Sequence, residues 1–267
     1  MRTFAELSNL TGRKALITGG AGHIALAAAD VLAELGATVT LSDANIAECE
    51  QRALMLRKKR DKSAFALACD LREESSIRKM VAAAIEQMKG LDLLIHCAAY
   101  VGTTSLPGWA VPFDEQTVEA WNAALAINVT AAFVMAQAAK DALRESGHGS
   151  IVLFASIYGI VGPDMSLYEG TTLANPAGYG ASKGALLQLT RHLATILAPH
   201  IRVNSISPGG VWRQQPKIFH ERYNQRTPLD RMATEEDLKG AVAYLASDLS
   251  SYVTGHNLVV DGGWTAW

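Results

Sequence analysis

Lys14-Ala15-Leu16-Ile17-Thr18-Gly19-Gly20-Ala21-Gly22-His23-Ile24 is the stretch on which the fold turns. Its first five residues, largely apolar and closed by the β-branched Ile17 and Thr18, have the length and make-up of a buried strand. Glycines follow at once, and then an alanine-rich run to Leu35 that Gly36 ends, which reads as a helix with its stop signal. A strand turning on glycines straight into a helix gathers bare backbone N–H groups at the helix N-terminus. A pyrophosphate is held there by hydrogen bonds and by the helix dipole. Gly20-x-Gly22-x-x-Ala25 fits the general dinucleotide fingerprint in this setting.

Outward from the turn the alternation continues. Thr38–Ser42 reads as a second strand and ends on Asp43, 24 residues after Gly19. A carboxylate there accepts hydrogen bonds from both ribose hydroxyls of an adenosine and repels a 2′-phosphate. Neither Ala44 nor Asn45 supplies a cation to attract one, so NAD is expected over NADP. The plainer alternative for Asp43 is a cap on the helix beginning near Asn45. A helix over Ile46–Lys59, a strand over Ala64–Ala68, a helix over Glu73–Met88 ended by Gly90, and an apolar strand over Leu91–His96 follow. Strands alternating with helices predict a parallel sheet covered on both faces. Asp70, just past the third strand, either meets an adenine edge or caps its loop. Cys97-Ala98-Ala99, past the fourth, is small enough to let a cofactor approach the backbone.

The second half is read the same way. Val101–Gln116, with Pro107, Gly108 and Pro112, is a loop in which Trp109 and Phe113 either line a pocket or anchor the chain. A long helix is expected from about Thr117 to Glu145, with Asn128 in its apolar middle. A buried amide is costly unless bonded. Asn128 therefore either breaks the helical ladder and holds a water for a proton relay, or bonds neighbouring backbone. Ser150–Ala155 is a fifth strand ending at Ser156, whose hydroxyl can hydrogen-bond a reacting carbonyl or alcohol oxygen, unless Ser-Ile-Tyr-Gly is only a turn. Arg202–Ile206 leads into Ser207-Pro208-Gly209-Gly210, a turn suited to backbone contact with a flat ring. Val211–Arg231 has mixed charge and weak periodicity. It holds Arg213, Lys217, His220, Arg222 and Arg226 and is expected to cover a site, with Arg213 the first candidate for a phosphate or carboxylate. Thr234 caps a last helix to Ser247 with Asp237 in its first turn, and Leu258–Val260 is a final strand. Trp264 and Trp267 are expected at a subunit contact or docked on the same chain.

Between the fifth and sixth strands lies Tyr179-Gly180-Ala181-Ser182-Lys183, in a helix expected to run to about Leu197. Four residues apart on a helix, phenol and ammonium share a face. A free tyrosine titrates near ~10, and bringing it to ~7 takes roughly 4 kcal/mol. A cation ~4 Å away supplies about that at an effective dielectric of ~20. Tyr179 and Lys183 are thus expected to form a general acid/base near neutral pH. Alone, such a pair is more readily a helix-start tyrosine beside a solvated lysine.

Composition excludes other classes. The 267 residues carry a net charge of −2 and no long basic run, which argues against nucleic-acid binding. Arg57-Lys58-Lys59-Arg60, the one basic cluster, ends an expected helix, where cations suit the dipole. Cys49, Cys69 and Cys97 give neither a disulfide framework nor a zinc site, and no metal is expected. The segment Met1–Lys14 lacks an apolar signal core, and no run reaches ~18 apolar residues. A soluble cytoplasmic protein without membrane partners is expected.

Thr18-Gly19-Gly20-Ala21-Gly22-His23-Ile24, Asp43, Asp70, Asn128, Ser156, Tyr179-x-x-x-Lys183, Pro208-Gly209 and the ending Val253–Gly263 together resemble the short-chain dehydrogenase/reductase family. The resemblance covers essentially the whole chain. It implies a single α/β domain over 1–267, a doubly wound Rossmann fold with a seven-stranded parallel sheet, and substrate loops near 103–116, 164–175 and 211–231. Tyr179 would be the proton donor or acceptor, and Lys183 would lower its pKa and hold the nicotinamide ribose. Ser156 would orient the substrate oxygen and Asn128 would anchor a relay water. Cofactor contacts are implied for Gly19, Gly22, His23, Ile24, Asp43, Asp70, Leu71, Cys97, Ala98, Ala99, Pro208, Gly209 and Val211, besides Tyr179 and Lys183. The family is usually a homotetramer or dimer, with the long helices and the C-terminal segment at interfaces.

This sequence departs from the family pattern in places. His23 and Ala25 stand at the last two glycines of Thr-Gly-x-x-x-Gly-x-Gly, and Cys97-Ala98-Ala99 replaces Asn-Ala-Gly. Trp212 and Arg213 occupy the region where a threonine commonly contacts the nicotinamide amide. Ser156 and Tyr179 are 23 residues apart, more than in the family, and Tyr168 at the familiar spacing has Thr172 rather than a lysine four residues on. The extra stretch is expected at the active-site mouth, with Tyr168 and Glu169 either touching substrate hydroxyls or lying on a surface loop. This insertion, with Tyr-Glu-Gly-Thr, Ser-Pro-Gly-Gly and Asp-Gly-Gly-Trp-Thr-Ala, resembles a branch associated with bacterial flagellin modification and surface-sugar biosynthesis.

The expected function is NAD(H)-dependent hydride transfer to or from a secondary alcohol or ketone, on this resemblance a sugar or sugar derivative. Two alternatives stand beside it. One is a catalytically silent NAD-binding regulatory or assembly module, favoured by the altered glycines and Cys97 and opposed by the full Asn128, Ser156, Tyr179 and Lys183 set. The other is an epimerase or dehydratase of the same fold that retains its NAD.

Overall fold

Alternation along single strands sets the layers. In β1 (Lys14–Thr18), Ala15 and Ile17 enter one core and Leu16 the other. In β4 (Leu93–His96), Leu93 and Ile95 face the first core and Leu94 the second; in β5 (Gly149–Phe154), Val152 and Phe154 oppose Ile151 and Leu153. Side chains leave a strand alternately on opposite faces, so strands apolar at every position need helices on both sides. The computed structural model, which describes residues 1–60 and 64–267, supplies them. One layer holds α2 (His23–Glu34), α3 (Ile46–Arg60) and α9 (Lys239–Ala246); the other holds α4 (Glu74–Met88), α6 (Ala131–Glu145) and α7 (Ala177–Leu197).

Between the layers runs the seven-stranded parallel sheet that the sequence predicts, in the order β3 (Ala64–Ala68), β2 (Thr38–Asp43), β1, β4, β5, β6 (Ile201–Pro208), β7 (Asn257–Val260). The order reverses between β1 and β4, where Thr18 and His96 are register partners. Loops diverge at such a switch point and open a crevice at the C-terminal ends of the strands.

Three elements differ from expectation. The helix expected over 117–145 is α5 (Val118–Leu125), a π-helical turn over Ala126–Thr130, and α6. The whole stretch Val118–Glu145 is long and apolar enough to cross a membrane, yet in this fold Ala131, Ala132, Met135, Ala139 and Leu143 are core. The segment 211–231 contains α8 (Lys217–Arg226), hidden from periodicity because only Phe219 and Tyr223 are buried on it. At the N-terminus, α1 (Phe4–Ser8) is held by a Thr3–Glu6 capping box. In the basic cluster Arg57, Lys58 and Lys59 are exposed, and Lys59 meets Asp30 at 3.1 Å; the Arg60 side chain lies outside the described residues. Trp264 docks on its own chain, stacked on Tyr223 with centroids 4.4 Å apart, and Trp267, though 72% exposed, donates its indole N–H to the Arg226 carbonyl at 3.1 Å.

Candidate active site

Two adjoining clefts of about 450 and 500 Å³ open at the strand ends. The first is lined by Gly19, Gly22, His23, Asp43, Asp70, Leu71 and Ala98, the second by Ser156, Tyr168, Tyr179, Lys183, Pro208, Gly209 and Val211. Ile24, Cys97, Ala99 and Arg213 line both. Asn128 lies behind the walls, fully buried.

The first cleft is built on the glycine turn. Gly19 has φ +72°, and a Cβ there would come within 2.7 Å of the Ala98 nitrogen. Only glycine fits a left-handed position pressed against backbone. Gly22 is the N-cap of α2, and its carbonyl accepts from the buried Arg52 guanidinium, which also pairs with Glu48 at 2.7 Å. Arg52 looked like one more cation on a charged helix; nothing in sequence marked it as the brace of the turn. Asp43 lines the cleft and combines two roles. One oxygen accepts from Ala21 N at 3.2 Å, tying the turn to β2, and the other caps Asn45 N at 3.0 Å. Asp70 serves its own loop: Arg72 grips its carboxylate at 2.6 Å and holds it below the usual carboxylate range, as the capping alternative has it. The His23 ring is largely exposed and stands 3.9 Å from Glu235. Bare N–H groups, room where a Cβ would intrude, and an acid at the end of β2 suit a dinucleotide.

In the second cleft α7 presents Tyr179 and Lys183 on one face. The Lys183 ammonium donates to the Phe154 carbonyl at 2.7 Å and lies 5.7 Å from the Tyr179 ring centre. Burial pulls its pKa down to about 8. Burial pushes the Tyr179 phenol above its ordinary value, and the groups pulling against that are the Ser156 hydroxyl and Arg213. Lys183 is aimed at a carbonyl, and desolvation of the phenolate outweighs the attraction. Ser156 is only 5% exposed and accepts from Tyr158 N at 3.2 Å, which leaves its own O–H to donate.

Asn128 sits in the π-helical turn and both ends of its amide are used. Oδ1 accepts from Tyr100 N at 2.7 Å, and Nδ2 donates to Ser182 Oγ at 2.9 Å and Tyr100 O at 3.3 Å. The amide breaks the ladder as expected, but the side chain bonds backbone and clamps the loop after β4 to α7. His96 completes the brace and was missed, because it reads as the last residue of an apolar strand. Burial takes its pKa down to about 3, so the ring is neutral. Its Nε2–H donates to Ile127 O at 3.1 Å while Nδ1 accepts from the Thr18 hydroxyl at 2.8 Å. Burial raises the Cys97 thiol, making it a small apolar wall rather than a nucleophile.

The insertion and the 211–231 segment fold over this cavity together. Arg222 donates to the carbonyls of Ser166 at 2.9 Å and Glu169 at 2.6 Å, and Arg226 meets Asp164 at 3.4 Å. These cations hold the insertion instead of facing a ligand. Lys217 is exposed beside Glu221, and His220 packs on Trp212 at 4.1 Å. Arg213 lines the cavity and meets Glu235 at 3.5 Å. Tyr168 lines the wall, whereas the Glu169 side chain is exposed and does not. In the 103–116 loop Trp109 is an anchor, buried and donating to Val101 O at 2.9 Å; Phe113 is 76% exposed and lines neither cleft.

Residues 19–265 match the family model described as enoyl-(acyl carrier protein) reductase. The chain is 32% identical to sorbose reductase of Schizosaccharomyces pombe over 97% of this chain and 98% of that protein. Among solved structures it resembles a short-chain type dehydrogenase/reductase from Mycobacterium marinum, with 31% identity, TM-score 0.85 and 100% of both chains covered. A gluconate 5-dehydrogenase from Burkholderia cenocepacia in complex with NADP and tartrate aligns with TM-score 0.85 at 27% identity, covering 99% of this chain and 100% of that one. An NAD+-bound xylitol dehydrogenase aligns with TM-score 0.84 at 30% identity, covering 95% and 99%. Match, identity and coverage agree with the geometry at the strand ends, and the chain belongs to the short-chain dehydrogenase/reductase family.

Proposed function

We propose that this protein is an NAD(H)-dependent oxidoreductase that interconverts a secondary alcohol and a ketone, with a sugar or sugar derivative as substrate. The observation that carries this reading is the meeting of Ser156, Tyr179 and Lys183 on one wall of a cavity that adjoins the glycine-turn cleft. Bound nicotinamide supplies the hydride acceptor or donor. Gly19, Gly22 and Ile24 hold its pyrophosphate side, Asp43 its adenosine ribose, and Pro208, Gly209 and Val211 the ring side. Tyr179 gives or takes the proton at the substrate oxygen, and Ser156 donates its free O–H to that same oxygen. Lys183 holds the other ribose and supplies positive charge beside the phenol once ligands complete the site. Asn128 keeps the π-helical turn in place, where backbone groups freed from the helical ladder can take a relay water.

The carboxylate of Asp43 and the absence of a cation at Ala44 and Asn45 favour NAD; of the structural relatives one is in complex with NADP, one is NADPH-dependent and one is NAD+-bound. The names of some relatives, which mention sorbose, gluconate and xylitol, favour a polyhydroxy substrate, whereas another is a cyclopentanol dehydrogenase. The likeness of the insertion to the surface-sugar branch points the same way. A cytoplasmic dimer or tetramer belongs to this reading, with the exposed Phe133 of α6 and Ile196 of α7 as interface residues.

The test is nucleotide reduction by purified protein over a panel of alcohols and sugars, with NAD and NADP in parallel and Tyr179→Phe as comparison. Turnover with NAD that falls by ~10³-fold in the variant is the expected outcome. Undiminished turnover in Tyr179→Phe removes the assignment. Tightly copurifying nucleotide without net reduction replaces it with the retained-cofactor epimerase or dehydratase.

A further inference from the structure

Beside Tyr179 the cavity wall carries a hydrogen-bond chain that the reaction above does not use. Asn175 Nδ2 donates to the Tyr168 hydroxyl at 3.1 Å, and the hydroxyls of Tyr168 and Tyr158 are bonded at 3.0 Å. Two phenols hold two protons, and the bond between them consumes one. Among the described residues neither hydroxyl has another acceptor, so one O–H stays unspent. Tyr168 already accepts from Asn175, which polarises it and makes it the better donor of the two. Either hydroxyl can donate in that bond, and when Tyr168 donates the unspent O–H is Tyr158's. Both phenols line the cavity, and the Tyr158 ring stands edge-on to Tyr179 with centroids 6.5 Å apart. Burial raises the Tyr158 phenol far above its ordinary value, so it stays a donor across the neutral range. The same residue's N–H fixes Ser156 Oγ at 3.2 Å. Tyr158 thus orders one oxygen-binding hydroxyl through its backbone and offers a second through its side chain.

An O–H on a cavity wall that no protein group accepts from is free to donate to a ligand oxygen. We propose that Tyr158 binds a second substrate oxygen, on the carbon next to the reacting one, so that the site takes vicinal diols and α-hydroxy ketones in preference to simple alcohols. This rests on the function proposed above and specifies which alcohols that site accepts.

The experiment compares matched pairs, cyclohexane-1,2-diol with cyclohexanol and butane-2,3-diol with butan-2-ol. The readout is the ratio of kcat/KM for the diol to that for the simple alcohol. Tyr158→Phe is expected to lower that ratio about tenfold, the size of one neutral hydrogen bond in a site built for it. Tyr168→Phe, which leaves the Tyr158 hydroxyl in place but unordered, is expected to lower it roughly threefold. A ratio overcomes general loss of activity or folding, because both substrates meet the same protein. Equal ratios in wild type and Tyr158→Phe overturn the inference while leaving the oxidoreductase assignment standing. Absence of turnover on every member of both pairs and on the wider alcohol panel overturns both.

Discussion

The glycine-turn cleft and the cap over the second cavity are built by different means. Around the turn, most groups act on a neighbour in sequence or on the adjoining strand: Gly22 N donates to Gly19 O, Gly20 N to Ser42 O, and Asp43 caps Asn45, with Arg52 on the Gly22 carbonyl the exception. In the cap, the contacts run between segments far apart in the chain, as Arg222 reaching Ser166 and Glu169 shows. The first region is specified mainly by backbone conformation, the second mainly by side chains bonded to distant backbone. A cofactor shared by many enzymes needs the former; a substrate site needs the latter, which can be changed without disturbing the sheet.

Two glycines sharpen this contrast. Gly19 and Gly170 have nearly equal φ, +72° and +71°, but a Cβ at Gly19 meets Ala98 N at 2.7 Å whereas one at Gly170 meets nothing within 4 Å. Gly19→Val is expected to weaken NAD binding by ~100-fold or more, seen by calorimetric titration, because strain adds to a collision with backbone. Gly170→Ala carries the strain alone, ~1 kcal/mol of stability, with NAD affinity unmoved. If both substitutions leave NAD binding intact, the turn is not the dinucleotide site.

A smaller effect is expected from the cap. Arg222→Ala leaves the Ser166 and Glu169 carbonyls without their donor and frees the insertion. KM for the substrate should rise by roughly three- to tenfold while the NAD dissociation constant stays put. A change in NAD affinity instead would show that the two regions are mechanically one.

The smallest effect is a slope. Lys183 has a folded pKa of about 8, below its ordinary 10.5. Between those values the unfolded chain binds more protons than the folded one, so stability from this residue rises with pH in that window. Urea denaturation of the cofactor-free protein should show wild type gaining on Lys183→Met from about pH 8 to about pH 10. The opposite slope would mean that the Phe154 carbonyl stabilises the ammonium more than burial penalises it.

The same contrast explains what could be read without the structure. The strands, the glycine turn and the positions of Ser156, Tyr179 and Lys183 were legible because local pattern and order fix them. Asn128 was found, but its partners were not, since Tyr100 and Ser182 are distant in sequence. Arg52, His96 and Tyr158 escaped notice for a related reason: a surface-like arginine, a strand-end histidine and a turn tyrosine gain meaning only from the carbonyl or hydroxyl each meets.

The guanidinium of Arg222 grips main-chain oxygens, which every amino acid carries alike. Apart from Asp164, which Arg226 meets through its carboxylate, residues 165–175 can therefore drift in sequence without slipping the Arg222 anchor, and the side chains that look into the cavity are the ones exposed to selection by substrate. A lineage carrying this clasp could explore new ligands by point changes at Tyr168 or Asn175 while the insertion keeps its seat. The clasp also sets the unit of exchange: transplanting the insertion into a relative without α8 would move the wall but leave its hinge pin behind.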